Sequence, residues 1–162
     1  EMKKFYILVA MLLLSVSAFA QDGRSIYEKY SDTDGISAVY ISPAMFRLIG
    51  KIPDVEFNDG SVNFAPLIKT LSGLYILSTE DSALAGELAA DVNRYVQKGH
   101  YELLMEAKEG GETTRMYTIG NEKIVNGFVM LSRDGAETNF ICIDGTMPRE
   151  QLEALIAEAA KN

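Results

Sequence analysis

The sequence predicts an α+β fold: a single domain with a mixed, mostly antiparallel sheet of five or six strands and helices mainly on one face. Three observations carry that expectation. Between residues 38 and 98, short β-branched and aromatic runs alternate with helical apolar stripes. From Tyr101 onward the apolar period changes from helical to two. Turn signals then recur at Gly110-Gly111, Gly120-Asn121-Glu122 and Asp134-Gly135.

The elements follow in order. Ile26, Tyr27 and Tyr30 suit one short helix, ended by the turn Ser31-Asp32-Thr33-Asp34-Gly35. Ala38-Val39-Tyr40-Ile41 is a strand by composition. Ser42-Pro43 after it is an N-cap followed by proline at the first helical position, where its missing N–H costs nothing. The helix they open carries Met45, Phe46, Leu48 and Ile49 on one face and closes at Gly50. Lys51 to Val62 is a loop and Phe64 to Leu71 a second short helix. Leu74 to Leu77 is the second strand, and a strand, helical crossover and strand predict that the first two strands run parallel. Ser78-Thr79-Glu80-Asp81 has capping-box spacing. The helix beyond it bears Leu84, Leu88, Val92, Tyr95 and Val96 on one stripe and ends at Lys98-Gly99.

Tyr101 to Lys108 fits two descriptions. Tyr101, Leu103, Met105 and Ala107 alternate as one buried strand face, whereas Leu, Met, Glu, Ala and Lys are helix formers and Tyr101, Leu104 and Met105 share a helical face. The strand is favoured because Gly110-Gly111 and Thr113 to Ile119 then complete a hairpin. Ile124 to Ser132, apolar on both faces, is a central strand, and Thr138 to Asp144 is the last. A helix starting near Thr146 to Pro148 buries Leu152, Leu155, Ile156 and Ala159.

The amino end has a different logic. Met2-Lys3-Lys4, an apolar run from Phe5 to Val16 and Ser17-Ala18-Phe19-Ala20 have the three parts of an export signal, with cleavage expected between Ala20 and Gln21. The domain division is therefore a removable signal over residues 1–20 and one α+β domain over residues 21–162. The apolar run falls short of the roughly 20 residues a membrane-spanning helix needs, so no stable span is expected after cleavage. Gln21 stands where a lipid-bearing cysteine would have to be. The expected location is periplasmic or secreted.

The whole chain has 23 acidic and 15 basic side chains. Without residues 1–20 these become 22 and 13, a charge of about −9, which argues against nucleic acid as a partner. The single cysteine, Cys142, excludes an intramolecular disulfide.

Residues with chemical potential are scattered. Asp32-Thr33-Asp34-Gly35 resembles the start of a calcium loop, but Ile36 holds the position of the next oxygen ligand and no glutamate follows at the twelfth, so a solvated turn is favoured. His100 has no second histidine or cysteine near it in sequence and reads as a surface side chain. Cys142 could act as a nucleophile only if His100 approached it, and between Ile141 and Ile143 it reads as a small hydrophobe. Ser42 and Ser78 stand at strand ends without the G-x-S-x-G flanks of an esterase, and capping explains both. Glu102 and Glu106 would project from one strand face, as a glycosidase pair does, although alternating surface charge is commoner. No catalytic residue, cofactor site or metal site is assigned from these.

Val39 to Phe46, Tyr75 to Thr79, Tyr101 to Met105 and Phe140 to Gly145 resemble, in order and spacing, the uncharacterised secreted family known as domain of unknown function 4252, typical of Bacteroidetes. The resemblance implies one domain in the envelope of a bacterium with an outer membrane, and it implies no activity. The function expected from the sequence is a non-catalytic binding or interaction module with a protein or ligand of the cell envelope as its partner. A small hydrolase with a site assembled only in three dimensions is the first alternative, and peripheral membrane association the second.

Overall fold

Alternating burial along the strands organises one six-stranded sheet. In the computed structural model, which describes residues 23–49 and 70–159 together with Lys3, the elements are α1 (Gly23–Tyr30), β1 (Ile36–Ile41), α2 (Pro43–Ile49), β2 (Leu71–Thr79), α3 (Ser82–Lys98), β3 (Glu102–Glu109), β4 (Glu112–Gly120), β5 (Ile124–Asp134), β6 (Glu137–Pro148) and α4 (Arg149–Ala159). The expected signal, its cleavage point at Ala20 and Gln21, the Lys51 to Val62 loop and the Phe64 to Lys69 part of the short helix lie outside the described residues. Leu71, the end assigned to that helix, begins β2.

The strand order is β1-β2-β6-β5-β4-β3, and every neighbouring pair is antiparallel. This corrects two expectations: the sheet is not mixed, and the first two strands are not parallel. Ile41 at the end of β1 lies opposite Leu74 near the start of β2. The intervening chain thus leaves and returns at the same end of the sheet, and need not cross it. The helical crossover joins β2 to β3 instead. Those strands share a direction and are separated by three others, with α3 spanning the gap.

One face carries the main core. Tyr75 and Leu77 of β2, Phe140 and Cys142 of β6, and Val129 and Leu131 of β5 pack under Ile26 and Tyr30 of α1 and Leu88, Ala89, Val92, Tyr95 and Val96 of α3. The predicted stripe of α3 is this buried face, with Leu84 only half-buried and Ala85 adding to it. Thr118 and Thr138 are fully buried yet satisfied, donating to the Gly127 and Ala85 carbonyls at 2.8 and 3.2 Å.

Alternation puts Phe128 and Ile143 on the opposite face. There Leu152 of α4 joins Val125, Met147, Leu71 and Leu104 around them in a smaller cluster at one end. α4 starts at Arg149 and not in Thr146 to Pro148, because β6 runs on to Pro148. The acidic side chains Glu109, Glu112, Asp134 and Glu137 line up on this face at the other end of the sheet. The register lines up Met105, Met116, Met130, Ile141, Ile76 and Val39 as one row across all six strands.

Two caps differ in kind. The Ser42 hydroxyl accepts from Met45 N at 3.3 Å, as expected for α2. The cap of α3 is Asp81, whose Oδ1 accepts from Ala83 N and Leu84 N at 3.0 Å each. The anticipated capping box is absent because Ser78 and Thr79 still belong to β2. The Thr79 hydroxyl ties the turn to the strand end, donating to the Gly35 carbonyl at 2.7 Å and accepting from Asp81 N at 3.2 Å. Among the described side chains of the expected apolar face of α2, Phe46 is buried, and Met45 and Leu48 are exposed.

β3 is a strand, as the alternation predicts, but it has no buried face. Leu103 pairs with Tyr117 and Met105 with Met116, so Leu104 is an extra residue, a bulge. Leu103 and Met105 are exposed, and Leu104 packs against the smaller cluster. The β3–β4 hairpin turns through Gly110 and Gly111 at φ 58° and 91°, the left-handed pair that a two-residue turn requires.

Candidate functional site

The candidate residues from the sequence do not converge. His100 is exposed in the turn after α3, at φ 55°. Cys142 is fully buried in the main core, where its thiol donates to Asp144 Oδ1 at 3.6 Å. A sealed thiol and an exposed imidazole do not make a nucleophile and base. Asp32 and Asp34 sit exposed in the turn before β1, where Thr33 N and Ile36 N bond to the Tyr30 and Thr33 carbonyls. Ser42 is the α2 cap. Ser78 is not a cap, and its hydroxyl donates to Asn139 Oδ1 at 2.6 Å within the sheet.

Glu102 and Glu106 are parted by the Leu104 bulge. Glu102 pairs with Thr118 and points toward Arg149 of α4, with 3.5 Å between the charged groups. Glu106 pairs with Arg115 on the other face. The glycosidase-like carboxylate pair is therefore excluded by register.

Clefts indent the described surface, and three of them contain charged side chains. One of about 450 Å³ lies among Glu102, Gly120, Asn121, Glu122 and Arg149, but Arg149 is spent on Glu102 and on the Asn121 carbonyl. A second, of about 220 Å³, separates α1 from α3. Its centre is occupied by the protein's own anion: Asp91 accepts from Lys29 and from Tyr30, and pairs with Arg94.

The third, of about 340 Å³, opens on the helix-bearing side of the sheet where α3 no longer covers β4 and β5. Alternation along β4 points Thr113 and Arg115 into it. β5 supplies Leu131 and Arg133, directly opposite Arg115 and Thr113 respectively, and α3 contributes Asn93. Gly111 and Gly135 form its rim without side chains to close it.

Its electrostatics are specific. Glu106 accepts from Arg115 Nε at 2.6 Å and lies 3.1 Å from Lys108 Nζ. The Arg115 bond, then the Lys108 bond, holds the Glu106 carboxyl below the usual carboxylate range, and the same bond raises the guanidinium. Arg133 makes no hydrogen bond or ion pair with any described residue. Three cations, Lys108, Arg115 and Arg133, thus meet one carboxylate in a chain of net charge −8. Glu106 itself is not in the lining. Guanidinium, hydroxyl and amide donors over an apolar floor can seat an anion. Sequence reasoning missed these residues because they come from three elements. The available signal was Arg133 sharing the parity of buried Val129 and Leu131, and Thr113 and Arg115 sharing that of half-buried Tyr117.

A family model described as a domain of unknown function, DUF4252, matches residues 29–155. The chain belongs to this family. No curated protein and no solved structure matches it. The match begins within α1 and ends within α4, so it takes in all six strands and every residue lining the β4–β5 groove.

Proposed function

We propose that this DUF4252 protein is a non-catalytic cell-envelope module that binds an acidic ligand or the acidic segment of a partner in the β4–β5 groove. The observation that carries the proposal is Arg133, a cation without a partner among the described residues, set beside Arg115 in a cleft that no described carboxylate lines. In an acidic protein a local excess of cations works against the overall field, so its ligand is selected by contact and not by long-range steering. Among the described residues the groove's lining has donors but no imidazole, thiol or carboxylate, which suits retention of a ligand better than its conversion.

Delivery to the envelope rests on the export signal at residues 1–20, with the mature chain starting at Gln21. Amino-terminal sequencing of the protein from an envelope fraction tests that start. No helix among the described residues is long and apolar enough to cross a membrane.

Titration calorimetry with hexaglutamate and with inorganic sulfate tests the groove. Binding of either probe at low salt, weakened at least about tenfold by Arg133→Ala and reduced by added salt, is the expected result. Equal binding by wild type and Arg133→Ala, or none to either, overturns the assignment.

A further inference from the structure

The two edges of the sheet are built differently. β3 carries Glu102, Glu106, Lys108 and Glu109 and is broken by the Leu104 bulge. Charges and bulges on an edge prevent another strand from adding to it. β1, Ile-Ser-Ala-Val-Tyr-Ile, has no charge, no proline and six consecutive pairs with β2 without a register shift. Nothing in its composition guards its free side.

The exposed apolar surface gathers at the same place. Seven large hydrophobic residues are exposed among the described residues, and four of them, Val39, Tyr40, Met45 and Leu48, lie within ten positions on β1 and α2. Val39 is 45 % and Leu48 60 % exposed. Such a concentration marks a contact surface.

We propose that β1 is the docking edge for β1 of a second copy of this chain, paired antiparallel about a two-fold axis through Val39. Three observations select a second copy over another occupant. In this register Val39 meets Val39 of the second copy, Tyr40 meets Ala38 and Ser37 meets Ile41, so large side chains face small ones. The uncharged row from Met105 to Val39 continues into its own symmetry mate, giving one row across twelve strands. Antiparallel pairing also brings the turn bearing Asp32 and Asp34 of one copy to the strand end from which α2, with Arg47, departs in the other. Arg47 makes no hydrogen bond or ion pair with a described residue, so the two ends are complementary in charge. For a chain of net charge −8, β1 is also the edge that adds no repulsion of its own.

Light scattering after size exclusion, over a concentration series, reads the state directly. The wild type is expected to be a dimer. Val39→Lys sets two ammonium groups against each other at the axis and is expected to weaken association on the order of a hundredfold, with an unchanged far-ultraviolet spectrum. Met105→Lys on β3 is expected to leave the dimer intact. Residues directly opposite across an antiparallel pair have Cα atoms about 4.5–5.5 Å apart, within disulfide reach. Val39→Cys is therefore expected to give a covalent dimer under mild oxidation, the native Cys142 being sealed in the core. A wild type that stays monomeric to about 1 mM overturns the proposal, including the case in which its edge takes up an unrelated extended peptide. So does a dimer lost in Met105→Lys and kept in Val39→Lys. Should Val39→Lys fail to fold, the cysteine variant decides alone, and absence of the covalent dimer is then the overturning result.

Discussion

The Tyr30 hydroxyl donates a 2.6 Å hydrogen bond to Asp91, joining the last residue of α1 to the middle of α3. Asp91 also takes Lys29 and Arg94, so one carboxylate clasps both helices where they cover the sheet. Burial, followed by the nearby Glu87 carboxylate, pushes the Tyr30 phenol up to about 12 from 10.0. A raised phenol keeps its proton in the fold and releases it more easily unfolded. Its stabilisation is therefore complete below pH 10 and is lost as pH rises from there through about 12. Urea unfolding at pH 8 and at pH 11 is expected to show a smaller alkaline loss in Tyr30→Phe than in wild type. Tyr95, raised mainly by burial and then by its bond to Tyr101, keeps some slope in both proteins. At pH 8 the Phe variant is expected to cost about 1–2 kcal/mol for the lost bond to a charged acceptor.

At Gly23 a β-carbon would collide with the Cys142 Sγ and Cβ atoms. Gly23→Ala is expected to destabilise by about 1–3 kcal/mol through overpacking. In Cys142→Ala the obstacle is gone, so the same change there is expected to cost much less. Denaturant melts of the two single variants and the double measure the coupling, and simple additivity contradicts the contact.

The cap of α3 offers a cleaner separation of effects. Asp81→Ala removes the acceptor for Ala83 N and Leu84 N and is expected to cost about 1 kcal/mol in thermal or urea unfolding. Asp81→Asn keeps an acceptor and gives up the charge at the helix start, so it is expected to cost less.

Glu106 restrains the groove. Its carboxylate occupies Arg115 Nε and the Lys108 ammonium. Glu106→Gln is expected to leave both cations uncompensated and to tighten sulfate or hexaglutamate binding by about threefold to tenfold at low salt. Calorimetry on this variant beside Arg133→Ala reads the two sides of the same charge balance, and weaker binding in Glu106→Gln argues against the groove.

Much of the fold was legible where a local signal decides it. Leu88, Val92, Tyr95 and Val96 recur at helical steps, and the same side chains form the buried stripe of α3. Cys142 between two isoleucines was legible as core. Strand direction was not, because Leu74 to Leu77 has the same composition whether β1 lies parallel or antiparallel beside it. The position of the returning chain decides, and Ile41 facing Leu74 records that outcome. The groove was illegible for a related reason. Asn93, Thr113 and Arg133 are ordinary surface residues in their own elements, and only the pairing of Thr113 with Arg133 beside α3 makes them neighbours.

The Leu104 bulge has one more consequence. A strand is a binary code in which odd and even positions answer to opposite sides, and one surplus residue inverts the code for everything on its far flank. Tyr101 and Leu103 share the helix-bearing side with Glu106 and Lys108, while Glu102 is grouped with Met105 and Ala107. A shortened β3 lacking Leu104 would force a choice between the flanks. Either Glu102 turns away from Arg149, or Glu106 leaves Arg115 and releases the groove. Two unconnected surfaces on opposite sides of the sheet therefore depend on the count of residues in a single edge strand.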